Sequence, residues 1–268
     1  MEIGVTLRNM GPQSSAVIMA EGVSAAEQLD YESVWITDHI AIPPDDAEGS
    51  GGRYTDTLTT LAWMAGMTTS IKLGAGVLIL PYRPMLPTAK QIATIQELSA
   101  NRLLLGVGIG WMDPEFKALG VPRAERAVRS DQLLDFLEQA FSNDVVSLNG
   151  QPFLFKPRPQ KPPILVGGRA PHALERAIAY GDGWLPMART PEQLAAPIAT
   201  YRSMGEAAGK PTSVTVLTGI ALNDAGAARA HLAAYAELGV ERLVCALRYD
   251  TIEEYRAQLE QLAELRSA

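Results

Sequence analysis

The chain has a single cysteine, Cys245, among 268 residues, so it can form neither an internal disulfide nor a thiolate metal cluster. Histidine is almost as scarce: His39, His172 and His231 are the only three, too far apart in sequence for a His-rich metal motif. Basic runs are missing. With a formal net charge of -7, the chain lacks the clustered Lys and Arg that grip nucleic-acid phosphates. No apolar stretch reaches the roughly 18 residues needed to span a bilayer, and the opening MEIGVTLRNM has neither the basic nor the apolar region of a secretory signal. A cytoplasmic protein without nucleic-acid, membrane or metal partners is therefore expected. There is also no G-x-S-x-G elbow and no Walker loop. The first apolar run is followed by RNMGPQSS rather than the G-x-G-x-x-G fingerprint of an open dinucleotide-binding sheet.

What is present is a globular composition, 47% hydrophobic and 20% charged, with short apolar runs alternating with helical stretches from end to end. Four runs lie in the first half: Ile3–Leu7, Ser33–Thr37, Lys72–Ile79 and Arg102–Gly108. Four more follow at Pro163–Gly167, Asp182–Pro186, Ser213–Leu222 and Glu241–Leu247. They are nearly continuously apolar, as parallel strands buried on both faces must be. Between them, Ala-, Glu- and Leu-rich segments such as Thr190–Ala208 and Ala225–Glu237 carry a 3.6-residue period. Eight such units in a chain this long predict an α/β protein built as a single (β/α)8 TIM barrel over residues 1–268, since that fold takes roughly 250 residues. One departure interrupts the alternation. VVSLNGQPFLF (Val145–Phe155) places two strand-like runs around Asn149-Gly150, a hairpin excursion before strand five, and the proline-rich Lys156–Pro163 after it is an extended connector.

In a barrel, chemistry sits at the carboxyl ends of the strands. Thr37-Asp38-His39 closes the second strand. His39 is the candidate base, by elimination against His231 on a polar helix face and His172 at a helix start; the bland alternative is that Asp38 and His39 only cap the following loop. Gly74-Ala75-Gly76-Val77 in the third strand marks either a bulge beside a flat ligand or a tight barrel corner. The glycines of Gly106-Val107-Gly108-Ile109-Gly110-Trp111 end strand four, and Gly167-Gly168-Arg169 ends strand five ahead of a helix starting near Ala170. Glycine amides at a helix N-terminus beside an arginine suit a phosphate, although the same residues also make an ordinary βα turn. Trp111, Met112, Trp184 and Met187 near the strand ends could shape an apolar pocket. Cys245 lies inside an apolar strand and reads as an inert core thiol. A lyase using a strand-end lysine is disfavoured, because Lys72 begins its strand.

Five blocks, WITDH (Trp35–His39), LGAGVLILP (Leu73–Pro81), NRLLLGVGIGWMDPEFKALG (Asn101–Gly120), PPILVGG (Pro162–Gly168) and YGDGW (Tyr180–Trp184), resemble the bacterial-luciferase-like superfamily in order and spacing, and in particular its branch that uses the deazaflavin coenzyme F420. The resemblance implies an oxidoreductase passing a hydride between F420 and a small organic substrate. The alternatives are an FMN-dependent two-component monooxygenase fed by a separate reductase, and a flavin-binding barrel without turnover. It implies ring contacts from Asp38 and His39, with His39 as proton relay, and a non-prolyl cis peptide at Gly76-Val77 backing the ring. Gly108 and Gly110 would border the cofactor, and Gly167, Gly168 and Arg169 would hold its phosphate. Relatives pair through outer helices, so a homodimer is expected. The sugar-phosphate dehydrogenase branch has a catalytic glutamate where this chain has Trp111, which puts that substrate class in doubt. The short chain implies trimmed substrate loops and a comparatively open pocket.

Overall fold

The computed structural model describes residues 1–267. Eight parallel strands close into a barrel: β1 (Glu2–Thr6), β2 (Ser33–Ile36), β3 (Lys72–Ile79), β4 (Leu103–Gly108), then β7 (Ile164–Gly167), β8 (Gly183–Leu185), β9 (Ser213–Gly219) and β10 (Arg242–Ala246), with β10 pairing back onto β1. The antiparallel hairpin of β5 (Val145–Leu148) and β6 (Gln151–Leu154) stands outside the barrel. Its turn residues Asn149 and Gly150 both have positive φ, 52° and 76°, the twist a two-residue hairpin requires. Helices α1 (Ala16–Gln28), α2 (Thr57–Met67), α3 (Met85–Leu98), α4 (Asp113–Ala118), α5 (Arg126–Ser142), α6 (His172–Tyr180), α7 (Pro191–Ala208), α8 (Ala225–Glu237) and α9 (Ile252–Ser267) fill the connections. None is long and apolar enough to cross a membrane.

Two apolar layers account for the closure. The larger lies between strands and helices. The smaller, formed by Trp35, Leu104, Leu165, Leu185, Leu217 and Val244 from six different strands, plugs the barrel interior, because inward side chains of alternate strands interdigitate there. Trp35 decides Gly74 and, together with the Ser33 hydroxyl 2.5 Å from where a Cβ would lie, closes off Gly4. A Cβ on Gly74 would lie 2.2 Å from its indole, and one on Gly4 would lie 2.9 Å from its Nε1. Gly74 is thus the packing partner of a core tryptophan, whereas the ladder irregularity falls between Ala75 and Leu78, at the cis peptide Gly76-Val77.

Most strand ends lie within one residue of the sequence expectation, and two boundaries differ from it by more. The ninth strand stops at Gly219 instead of running to Leu222, because the backbone folds back there, with the N–H of Leu222 donating to Ile220 O at 3.2 Å. Helix α6 begins at His172, two residues after Ala170, with Pro171 in its N-cap position. Cys245 is fully buried, and burial pushes its thiol up to about 12, so it is an unreactive packing group at neutral pH.

Candidate functional site

The carboxyl end of β2 is built by side chains from three neighbouring segments. Asn9, fully buried beyond β1, donates from Nδ2 to the carbonyls of Thr37 (2.8 Å) and Thr55 (3.2 Å), and its Oδ1 accepts from the Thr37 N–H (3.0 Å). That pins the turn carrying Asp38 and His39. The Asp38 carboxylate is then engaged inside the protein. Arg83 forks onto it at 2.6 and 2.8 Å, the Ile79 N–H donates to it at 2.8 Å, and the Thr57 hydroxyl lies 2.8 Å away. Paired and donated to in this way, a buried carboxylate can remain charged. Its effect is to lock the β2 turn against the end of β3, immediately beyond Gly76 and Val77. Asp38 borders the cleft while its charge is spent on architecture.

His39 has the opposite disposition. Its Nδ1 lies 2.7 Å from Glu115 Oε2, and the other oxygen of that fully buried glutamate accepts from the N–H groups of Ile40 (2.6 Å) and Ala41 (2.9 Å). The Tyr82 hydroxyl donates to Oε2 at 3.0 Å. Burial works to raise the Glu115 pKa, but the Ala41 and Ile40 amides together with His39 outweigh it, and the carboxyl titrates below its ordinary value. Burial and the adjacent Glu115 charge push the Tyr82 and Tyr54 phenols up, so both stay protonated. An ionised Glu115 can only accept, which assigns the proton of a neutral His39 to Nδ1. Nε2 has no hydrogen-bond partner among the described residues and is left to the cleft.

That cleft, a cavity of about 290 Å³, is bounded by Asp38, His39, Gly76, Val77, Gly108, Gly110, Gly167 and Gly168. Eight of the nine site residues expected from sequence therefore meet at one place. Its floor is flat for a specific reason: a Cβ on Gly108 would lie 2.6 Å from Val77 Cγ2, and one on Gly167 would lie 2.8 Å from Val77 Cγ1. The glycines let the Val77 side chain lie down between strands. Such a shelf accepts a planar ring. The ninth residue, Arg169, lines an adjoining cavity of about 630 Å³ that shares Trp111, Gly168 and Met187 with the first and also carries Arg189. No protein acceptor takes the N–H groups of Arg169 or Ala170 among the described residues. Free amides beside two arginines fit the phosphate of a ring-bearing cofactor.

Glu115, Arg83, Asn9 and Thr57 escaped the sequence reading. An acidic residue after proline in a first helical turn usually serves the helix dipole, and nothing local marks Glu115 as reaching across to β2.

The sequence profile of the luciferase-like monooxygenase family matches residues 5–267, and the chain belongs to that family. An uncharacterized protein of Mycobacterium tuberculosis is 33% identical over 204 residues, covering 69% of this chain and 70% of its own. The fold is similar to that of an F420-dependent secondary alcohol dehydrogenase solved with an F420-acetone adduct, with a TM-score of 0.82 and 16% identity over 99% of both chains. It is also similar to the oxygenating constituent of 3,6-diketocamphane monooxygenase from Pseudomonas putida in complex with FMN, with a TM-score of 0.66 and 16% identity over 82% of this chain and 68% of the other.

Proposed function

We propose that the chain is an oxidoreductase that exchanges a hydride between coenzyme F420 and a small organic substrate, with His39 moving the accompanying proton. The observation that carries this reading is the commitment of His39 Nδ1 to a buried carboxylate while Nε2 is left bare at the mouth of a glycine-floored slot. Bound there, the deazaflavin would supply a two-electron carrier that takes or gives a hydride. His39 Nε2 accepts the proton of a substrate hydroxyl undergoing oxidation, or returns one to a carbonyl oxygen undergoing reduction. Glu115 holds the imidazole in the tautomer that can do so and steadies the imidazolium that forms. Gly76, Val77, Gly108, Gly110 and Gly167 give the ring its shelf. Gly168 and Arg169 are the residues that would hold its phosphate, and Arg189 lines the same cavity.

The second reading, an FMN-dependent monooxygenase supplied by a separate reductase, is supported by the likeness to the FMN-bound monooxygenase fold. The TDH turn and the GVGIGW block favour F420 through the family resemblance. Separate fluorescence titrations of the purified protein with F420 and with FMN test the choice. Micromolar binding of F420 is the expected result, binding of FMN alone transfers the protein to the second reading, and micromolar binding of neither overturns both.

A further inference from the structure

His39 and Trp111 face two ways. Besides the glycine-floored slot, both line a second cavity of about 270 Å³, together with Arg8, Tyr54, Asp46 and Glu48. Its wall is the segment just after β1 stitched to the loop after β2: the Gly11 N–H donates to Arg53 O and the Thr55 N–H to Asn9 O, both at 3.0 Å, and Met10 bridges Tyr54.

Arg8 is the unusual member. Its Nη1 and Nη2 reach only backbone carbonyls, Tyr249 O at 3.4 Å and Gly49 O at 3.1 Å, and its Nε is buried with no acceptor. No ion pair joins it to any carboxylate among the described residues. Asp46 and Glu48 share the cavity but are exposed at its rim and unpaired with it. A partly buried guanidinium held by carbonyls and lacking a counter-ion gains strongly from an incoming anion, because a carboxylate meets the fork with two charge-assisted hydrogen bonds.

We propose that this cavity is the substrate chamber, and that Arg8 binds the carboxylate of a small organic acid whose reacting carbon is presented past His39 and Trp111 to the slot. The inference rests on the redox reading above for the word substrate, but its binding claim stands on Arg8 and the cavity alone. Tyr54 packs against the His39 ring with centroids 5.0 Å apart, and Trp111 meets the ring edge-on at 6.3 Å. The acid is therefore gripped at one end by charge and lies against aromatic faces at the other.

Calorimetric titration of the full-length protein with benzoate and with its neutral counterpart benzamide tests this, with and without saturating F420. Benzoate is expected to bind at least about tenfold more tightly than benzamide. It should bind alongside F420 without competition, and Arg8→Gln should abolish the preference while F420 affinity stays unchanged. Equal binding of benzoate and benzamide by the unaltered protein would overturn the proposal, as would benzoate affinity unaffected by Arg8→Gln or displacement of benzoate by F420. The first comparison needs no variant, so an unfolded Arg8→Gln protein leaves it decisive. Failure of F420 binding would strike the redox reading instead.

Discussion

Glu115 Oε2 lies 2.7 Å from His39 Nδ1, joining the first turn of α4 to the turn after β2 across 76 residues of chain. This one contact fixes both the tautomer and the orientation of the histidine that lines the cleft.

Glu115→Gln keeps the shape and reverses the hydrogen-bonding sense at the position facing Nδ1. A neutral His39 then places its proton on Nε2, the wrong atom for a base. Turnover of an established substrate is expected to fall about 100-fold or more. Stability in a denaturant titration should fall by roughly 1–3 kcal/mol, because buried donors lose a charged acceptor.

The same glutamate sets a pH dependence. Its folded pKa is depressed, so its contribution is fully present above the ordinary glutamate value of 4.5 and is lost as pH falls through the lower folded value. Glu27 behaves alike. Burial raises its pKa, but the amides of Ser70, Ile71 and Thr69 outweigh burial and bring it to about 2. Glu27→Gln should therefore destabilise the protein at neutral pH, and the difference from the parent in chemical denaturation should shrink steadily from pH 5 towards pH 2.

Arg83 is the sole cation paired with the buried Asp38 among the described residues. Removing one partner strands a buried charge, a loss of about 3–5 kcal/mol. Arg83→Met should thus lower the denaturation midpoint sharply, and Arg83→Met combined with Asp38→Asn should recover part of the loss. The midpoints of the single and double variants measure it.

Gly108→Ala and Gly167→Ala drive a methyl to within 2.6 and 2.8 Å of Val77. Overpacking of this kind costs about 1–3 kcal/mol. It should lift Val77 into the slot and weaken ring binding at least tenfold. Arg169→Ala should instead weaken the phosphorylated cofactor while leaving a ring analogue without a tail unaffected. Fluorescence titration with both ligands separates the two kinds of loss.

The barrel was legible because parallel strands buried on both faces leave continuous apolar runs, and Lys72–Ile79 was bounded to the residue. Asn149-Gly150 announced the hairpin by the φ values its turn demands. The cleft residues were legible where backbone conformation or family resemblance marks them. Gly74 was misleading, since a glycine that yields to Trp35 in the core looks the same in sequence as one that yields to a ligand. Glu115, Arg83 and Arg8 were invisible for a common reason. Each acts through partners at least 27 residues away, and no local pattern records which distant strand end a charged side chain will reach.

The most direct measurement is ¹⁵N NMR of the histidine rings at pH 8, before and after saturation with F420, with His172 and His231 as internal references. The account predicts a protonated Nδ1 and a bare Nε2 for His39, with only the His39 Nε2 signal moving on cofactor binding. A proton resident on Nε2 in the resting protein, or a His39 ring indifferent to F420, would contradict it.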